Sequence, residues 1–576
     1  MEAADEESPL LHLQPDRQDV GPEYTSDGTI DISGQPALKR NTGNWRACYM
    51  ILGVEFCECV AFFAIAANLV TYLTTVLHES KVTAAQNVSA WVGACFLTPL
   101  IGAFLGDTYL GRYWTMVVSL PVSTIGILVL TVSASVPTSY YRAGVHRAVV
   151  YLALYLVALG SGGIKPCTSA FGADQFDSGD PMELQKKGSF FNWYYFLISL
   201  GSLLSGTVLV WLQNNVGWGI SFAIPAVLMI LGLAVLVGGS RVYRFRKLGA
   251  SPFKSICQVV IAAVRKWHVQ LPDDISLLYE LTNSSSPAES SQKIQHTNQF
   301  RFLDKAAIVL PPLDKTSKML PMCSWSLCTV TQVEELKTLL RMFPVWASFM
   351  IFYAVGGQTT STFIEQGMVM DNRVGPFAIP PASLSTVSVL SALIWVYIYE
   401  TVLVPLARRY TGKEKGFSQT QRLGIGFALS MLTMVYSAIL EMKRLTNAQA
   451  SGMSGRNMPV PMSILWQAPS YILTGAAGVF AGIGMMEFFY DQAPYTMKSL
   501  CAAFAQLAVA SGSYFNTIIF GVVAAATTRG GAPGWIPDNL NEGHLDYFFW
   551  MMAALSLLNL AQFVHYSMRY TEKTTS

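Results

Sequence analysis

The sequence predicts an all-α membrane protein of twelve transmembrane helices arranged as two six-helix bundles. Three observations predict it. Of 576 residues, 52% are hydrophobic and 13% charged, against about 25% charged in a soluble domain. The apolar residues come in repeated segments of about 20, the length that crosses roughly 30 Å of hydrocarbon. One polar stretch near 242 to 335, containing TNSSSPAESSQKIQHTNQ, divides these segments six and six. Two six-helix halves around a central cavity form the architecture of secondary transporters with repeated halves.

Residues 1–46 read as a polar cytosolic tail with no secretory signal ahead of the first span. Its opening, MEAADEESPLLHL, places Glu6 before Leu10 and Leu11, an acidic dileucine pattern of the kind sorting adaptors read. The N-terminal bundle occupies 47–241, with spans near 47–76, 86–106, 112–135, 147–173, 188–212 and 217–240. A cytosolic linker, 242–336, follows. The C-terminal bundle, 337–570, has spans near 337–361, 379–404, 418–442, 461–490, 497–526 and 546–569, and 571–576 closes the chain as a second cytosolic tail. The short loops nearly balance in Lys and Arg. The linker flanks, with Arg241, Arg244, Arg246, Lys337 and Arg341, tip the count toward both termini and the linker lying inside. The glycosylation sequon Asn87-Val88-Ser89 falls on the opposite side, crowded by the second span. A second sequon, Asn283-Ser284-Ser285, lies in the linker and is expected to be unused.

Composition also excludes. A net charge of +2 is too small to argue for a nucleic-acid partner. The nine cysteines show no zinc spacing, and most lie in apolar segments as small hydrophobes. The chain offers no nucleophile–base pair, metal cluster or phosphate loop, so no enzyme is expected. No cofactor is expected beyond a proton as coupling ion.

An ionisable residue at membrane depth is costly and marks function by default. The first span contains VEFCECVAFFA, with Glu55 and Glu58 one helical turn apart on a shared face. The fourth ends GSGGIKPCTSAFGADQF and places Lys165 at membrane depth. There Gly162, Gly163 and Pro166 predict an easily bent helix with carbonyls freed toward a polar cavity. Two acids for one base leave a carboxylate able to take up a proton on one side of the membrane and release it on the other. A static buried pair that merely orients helices is the alternative. In GAFLGDTYLGRYW, Asp107 and Arg112, with glycines at 102, 106 and 111, read as a tight loop and a latch between sliding bundles. A solvated turn is the plain reading of the same residues.

These stretches together resemble the proton-coupled oligopeptide transporters, and more closely the plant nitrate/peptide transporter family in its eighth subfamily, within the major facilitator superfamily. The matching segments are NLVTYLT, LTPLIGAFLGDTYLGRYW, GSGGIKPCTSAFGADQF, SFFNWYYF, RMFPVWAS, PMSILWQAPSYIL, EFFYDQAP and GWIPDNLNEGHLDYFFW. The resemblance implies a proton-coupled symporter of small nitrogenous solutes, di/tripeptides or nitrate, working by alternating access. It assigns proton coupling to Glu55, Glu58 and Lys165. The family's E-x-x-E-R motif ends here in Cys59, and its following tyrosines read Phe62 and Phe63. Gly356 stands where the family places an acid or a histidine, Gly478 where a glutamate anchors a peptide's amino group, and Ser199 for an asparagine. Those departures remove counter-charge for a peptide ammonium and leave room for nitrate or another small anion. The expected cavity comprises Phe62, Phe63, Lys165, Gln358, Thr359, Trp395 and Trp466, with Thr360 nearby and Glu487 as a gate. Helix–helix hydrogen bonding is the alternative for Gln358 and the threonines. The partners expected are a small-molecule substrate, protons, the lipid bilayer and a sorting adaptor. The dileucine tail favours the vacuolar membrane over the plasma membrane. A coupling-deficient relative acting as facilitator, sensor or scaffold is the competing reading.

Overall fold

The computed structural model describes residues 24–136, 143–177, 180–246, 252–271, 278–279, 296–309, 325–411, 417–453, 455, 458–492, 498–529 and 533–569. Glu6, Leu10, Leu11 and the Asn283 sequon lie outside them.

Twelve helical spans form as the hydropathy predicts: Asn44–Ala66, Lys81–Thr108, Arg112–Ser135, Gly144–Ala173, Ser189–Asn215, Trp218–Gly238, Val330–Met368, Pro381–Tyr410, Gln419–Ala450, Ile464–Phe489, Phe504–Thr527 and Leu545–Met568. The first six bury Ile51, Val54, Trp91, Met116, Val157 and Met229 in one core. The last six pack two clusters, one around Phe363, Met434, Phe520 and Phe548 and one around Phe349, Phe427 and Phe488.

Several spans are interrupted where the sequence suggested continuity. The first, expected to run to 76, breaks at Asn68 and resumes as a short helix, Leu69–Thr75. Gln213 serves the break, donating to Ala64 O (2.7 Å) and accepting from Asn68 Nδ2 (3.0 Å). The seventh tightens to a 3₁₀ turn at Gly357–Thr360 before a last helix, Thr362–Met368. Spans 5, 8 and 10 each contain a π-turn, at Ser205–Leu209, Tyr399–Leu403 and Gly478–Ile483.

In the fourth span, Ala143–Ala173 is one helix through Pro166. Its glycines serve contact. A Cβ at Gly102 would lie 2.1 Å from Gly162 O, and one at Gly163 would lie 1.9 Å from Ser119 Oγ. Spans 2, 3 and 4 therefore meet nearly backbone to backbone, which fixes the helix that carries Lys165. A Cβ at Gly162 would lie 2.5 Å from that of Thr98. Gly162→Ala is accordingly expected to cost about 1–3 kcal/mol by overpacking, read as a lower thermal-unfolding midpoint in detergent.

At one end of the molecule, here the linker end, the segment 24–43 packs rather than trails. Ser26 donates through N and Oγ to Asp177 (both 2.8 Å), and Lys39 reaches Asp177 at 3.2 Å. Buried Arg244 holds Glu183 (2.8 Å) and the carbonyl of Gln175 (3.1 Å), tying the end of span 6 to spans 4 and 5. The linker is docked too. Helix Pro252–Arg265 and the turn Arg301–Ala307 pack Val259, Ala262, Leu303 and Ala306 on the start of span 7. There buried Lys337 bridges Asp304 (2.7 Å) and Glu334 (2.8 Å).

At the opposite, far end the bundles touch. Asn516 of span 11 donates to Ser89 of span 2 (3.0 Å), Thr517 donates to Gln86 O (3.3 Å), and Lys81 N donates to Asp538 (3.2 Å). Spans 5 and 8 meet at Gly206, where a Cβ would lie 2.7 Å from Thr386 Oγ1. Asn87 lies inside span 2, its Nδ2 donating to Glu79 (3.0 Å) and to Tyr151, so the sequon asparagine is engaged by its own bundle.

Candidate functional site

The first and fourth spans run side by side and bring Glu55, Glu58 and Lys165 together. Lys165 Nζ lies 3.9 Å from Glu58 Oε1. Ser161, one turn before the lysine, donates to the same oxygen at 2.9 Å. Thr168, nearly one turn after it, donates to Glu55 Oε2 at 2.5 Å and lies 3.4 Å from Tyr194 OH of span 5. Cys59 Sγ donates to Glu55 Oε1 at 3.5 Å. Both acids are deeply buried, at 3% and 1% exposure, whereas the Lys165 side chain keeps 19%. The lysine side chain is therefore less enclosed than the two acids it sits beside. Phe62 forms its platform, the ring centroid 3.3 Å from Nζ, and Phe96 a second face at 5.0 Å. A cation over an aromatic face is worth about 0.5–2 kcal/mol.

The partners of the acids matter chemically. A hydroxyl donates to an ionised carboxylate and accepts from a protonated one. Ser161 and Thr168 can therefore serve Glu58 and Glu55 in either charge state without moving the helices. Glu58 Oε2 has no protein partner. Ligand atoms of Glu55, Glu58 and Cys59 lie within 4.8 Å of one another, a spacing that could hold a metal. Lys165 already supplies the positive charge at this cluster. At the linker cluster of His296, Asp304 and Glu334, Lys337 does the same.

Two ion-pair clusters stand at the linker end. Arg112 joins Asp107 (3.1 Å) and Asp174 (2.5 Å), so the sequence pair is a triad that includes the end of span 4. Gly102 and Gly106 lie within the span 2 helix, which leaves a loop of three residues, Tyr109 to Gly111. In the other bundle Glu487 pairs with Arg422 at 2.8 Å, and Arg422 also caps the Tyr399 ring at 4.4 Å.

The remaining predicted cavity residues scatter. Gln358 is buried and fully used by its neighbours: it donates to Ala354 O (3.0 Å) and Asn516 (2.8 Å) and accepts from Thr362 (2.8 Å). It is helix–helix glue, one step from the Ser89–Asn516 bond between bundles. Thr359 and Thr360 bond back to Gly356 O and Gly357 O. Trp395 packs on Phe480 between spans 8 and 10. Trp466 sits at the entry of span 10, 55% exposed. Phe63 flanks Phe62 edge-on. At Gly356 and Gly478 an added Cβ would meet open space. Cys59 is different: a Cβ at Gly201 would already lie 3.1 Å from the Cys59 Cβ, so span 5 closes over the position the family gives to arginine. Sequence reasoning missed Ser161, Thr168, Tyr194, Asp174 and Arg422. Ser161 and Thr168 had a usable signal, being hydroxyls about one turn either side of a membrane lysine.

The POT family model (PTR2) matches residues 113–536. Protein NRT1/PTR FAMILY 8.3 of Arabidopsis thaliana is 50% identical over 563 residues, 96% of this chain and 96% of the relative. Protein NRT1/PTR FAMILY 8.1 of the same plant is 46% identical over 561 residues, 96% of this chain and 98% of the relative. The crystal structure of an auto-inhibited POT family peptide transporter matches with a TM-score of 0.70 at 21% identity, covering 92% of this chain and 98% of that one. That last likeness is one of fold.

Proposed function

This chain belongs to the POT family, in the eighth subfamily of its plant nitrate/peptide branch, and we propose that it is a proton-coupled symporter whose substrate docks an anionic group on Lys165. It is a multi-pass membrane protein and a peptide/nitrate-type transporter, not an enzyme. The observation that carries the finer reading is the Glu58–Lys165 pair, with Glu55 behind it on Thr168. While Glu58 is ionised it occupies the ammonium. A proton on Glu58 frees Lys165 for a carboxylate or nitrate. Deprotonation restores the pair and expels the anion. Protons and substrate then move together, because the competent form of the site needs both.

The far-end contacts between spans 2 and 11 and between spans 5 and 8 support that end as one gate. The Arg112 and Arg422 clusters support the linker end as the other, with alternating access between them. Glycine at 356 and 478 puts no acid for a peptide's amino group at those two positions, which favours a small anion over a di- or tripeptide. The dileucine tail supports a sorting adaptor and the vacuolar membrane as address.

The test is uptake into proteoliposomes. With an inward proton gradient, labelled nitrate or labelled dipeptide is expected to accumulate faster than without one. No stimulated uptake of either overturns symport. Uptake that is equal with and without the gradient selects the uncoupled facilitator.

A further inference from the structure

Span 7 carries an acid that the site above does not use. Glu365 lies in the short helix Thr362–Met368 beyond the 3₁₀ break. Its side chain is wholly buried, and neither carboxylate oxygen meets a hydrogen-bond partner. The helix sits in the far-end seam. It packs against Leu69–Thr75 of the first span and the entries of spans 8 and 10. The neighbouring Ile364 belongs to the core of the opposite bundle.

The charges facing Glu365 come from two elements, Lys81 at the start of span 2 and Asp538 ahead of span 12. The other cation close by is already committed: Arg444 of span 9 is held by Glu441 at 2.6 Å, and Glu441 also accepts from Gln366 at 2.6 Å. Gln467 of span 10 donates to Gln366 (2.7 Å). Helix Leu69–Thr75 carries no charged residue, and Asp371 on the following strand is exposed.

A buried carboxylate with no donor is expensive when ionised and far less so when neutral. Parting the bundles at the far end would wet Glu365 and let it ionise facing Lys81. We propose that Glu365 is a proton-binding residue of the far-end closure: the shut seam holds its carboxyl with a proton, and opening the seam releases that proton to the far side. Proton binding and closure are then linked, so acid on the far side favours the shut state. The device is separate from Glu55, Glu58 and Lys165.

Hydrogen exchange read by mass spectrometry on the full chain in lipid nanodiscs tests it, between about pH 5 and pH 8, across the carboxylate range and above it. Corrected for intrinsic rates, peptides covering 362–384 and 533–546 are expected to lose protection as pH rises, by up to about tenfold per pH unit, the slope of a one-proton linkage. Glu365→Gln, a neutral mimic, should exchange slowly at both values and lose the dependence. A Glu55→Gln, Glu58→Gln double variant should keep it. Wild-type protection that does not change with pH overturns the proposal, as does a Glu365→Gln chain that retains the wild-type dependence. Should Glu365→Gln fail to fold, Glu365→Met, which removes both oxygens, carries the same expectation, and the wild-type comparison stands without either variant.

Discussion

Lys165→Ala is expected to bring proton-driven uptake down to the level of empty liposomes while leaving the protein folded. The lysine is the cation paired with Glu58 and the one seated over Phe62. Without it an anionic solute has no counter-charge at this site, and Glu58 has nothing to exchange its proton against. Breaking a fully buried pair costs about 3–5 kcal/mol. Lys165 keeps 19% of its surface, so the stability loss should fall below that range. Uptake under an imposed gradient, alongside thermal unfolding in detergent, separates the two effects. Glu58→Gln should lose gradient stimulation yet retain the anion site. Unchanged transport in both variants would remove these residues from the mechanism.

Arg444→Ala should be among the most destabilising single substitutions in the C-terminal bundle. The guanidinium is buried and holds Glu441 through two bonds, at 2.6 and 2.8 Å. It also donates to Asn541 (2.5 Å) and to Leu540 O (3.0 Å). Its loss strands a carboxylate in the interior, at a cost of about 3–5 kcal/mol. Replacing both partners, Glu441→Leu with Arg444→Met, should recover much of it, since no charge is then left alone. A single variant that melts with the wild type, or a double variant worse than the single, would refute this account.

The sequence made the twelve spans legible because hydrocarbon imposes one length and one polarity on every crossing. The pairing of spans 1 and 4 was legible for a related reason: three ionisable residues at membrane depth have few ways to be compensated. What stayed hidden depends on distant partners. For Gln358 the sequence left cavity and helix–helix bonding both open, because its partner Asn516 lies 158 positions away. The segment 24–43 read as a tail because its anchor, Asp177, lies 151 positions from Ser26. The glycines before Lys165 read as flexibility, whereas Thr98, Gly102 and Ser119 use them for contact. Glu365 lies beyond the expected end of span 7 at 361.

The wide turns in spans 5, 8 and 10 have a consequence for the length of each crossing. Each stretch at Ser205–Leu209, Tyr399–Leu403 and Gly478–Ile483 winds one more residue into its turn than its surroundings do. A helix that carries a surplus residue can surrender it and keep both flanks in place. These three stretches are therefore where a membrane crossing could give up a residue without displacing the helix on either side.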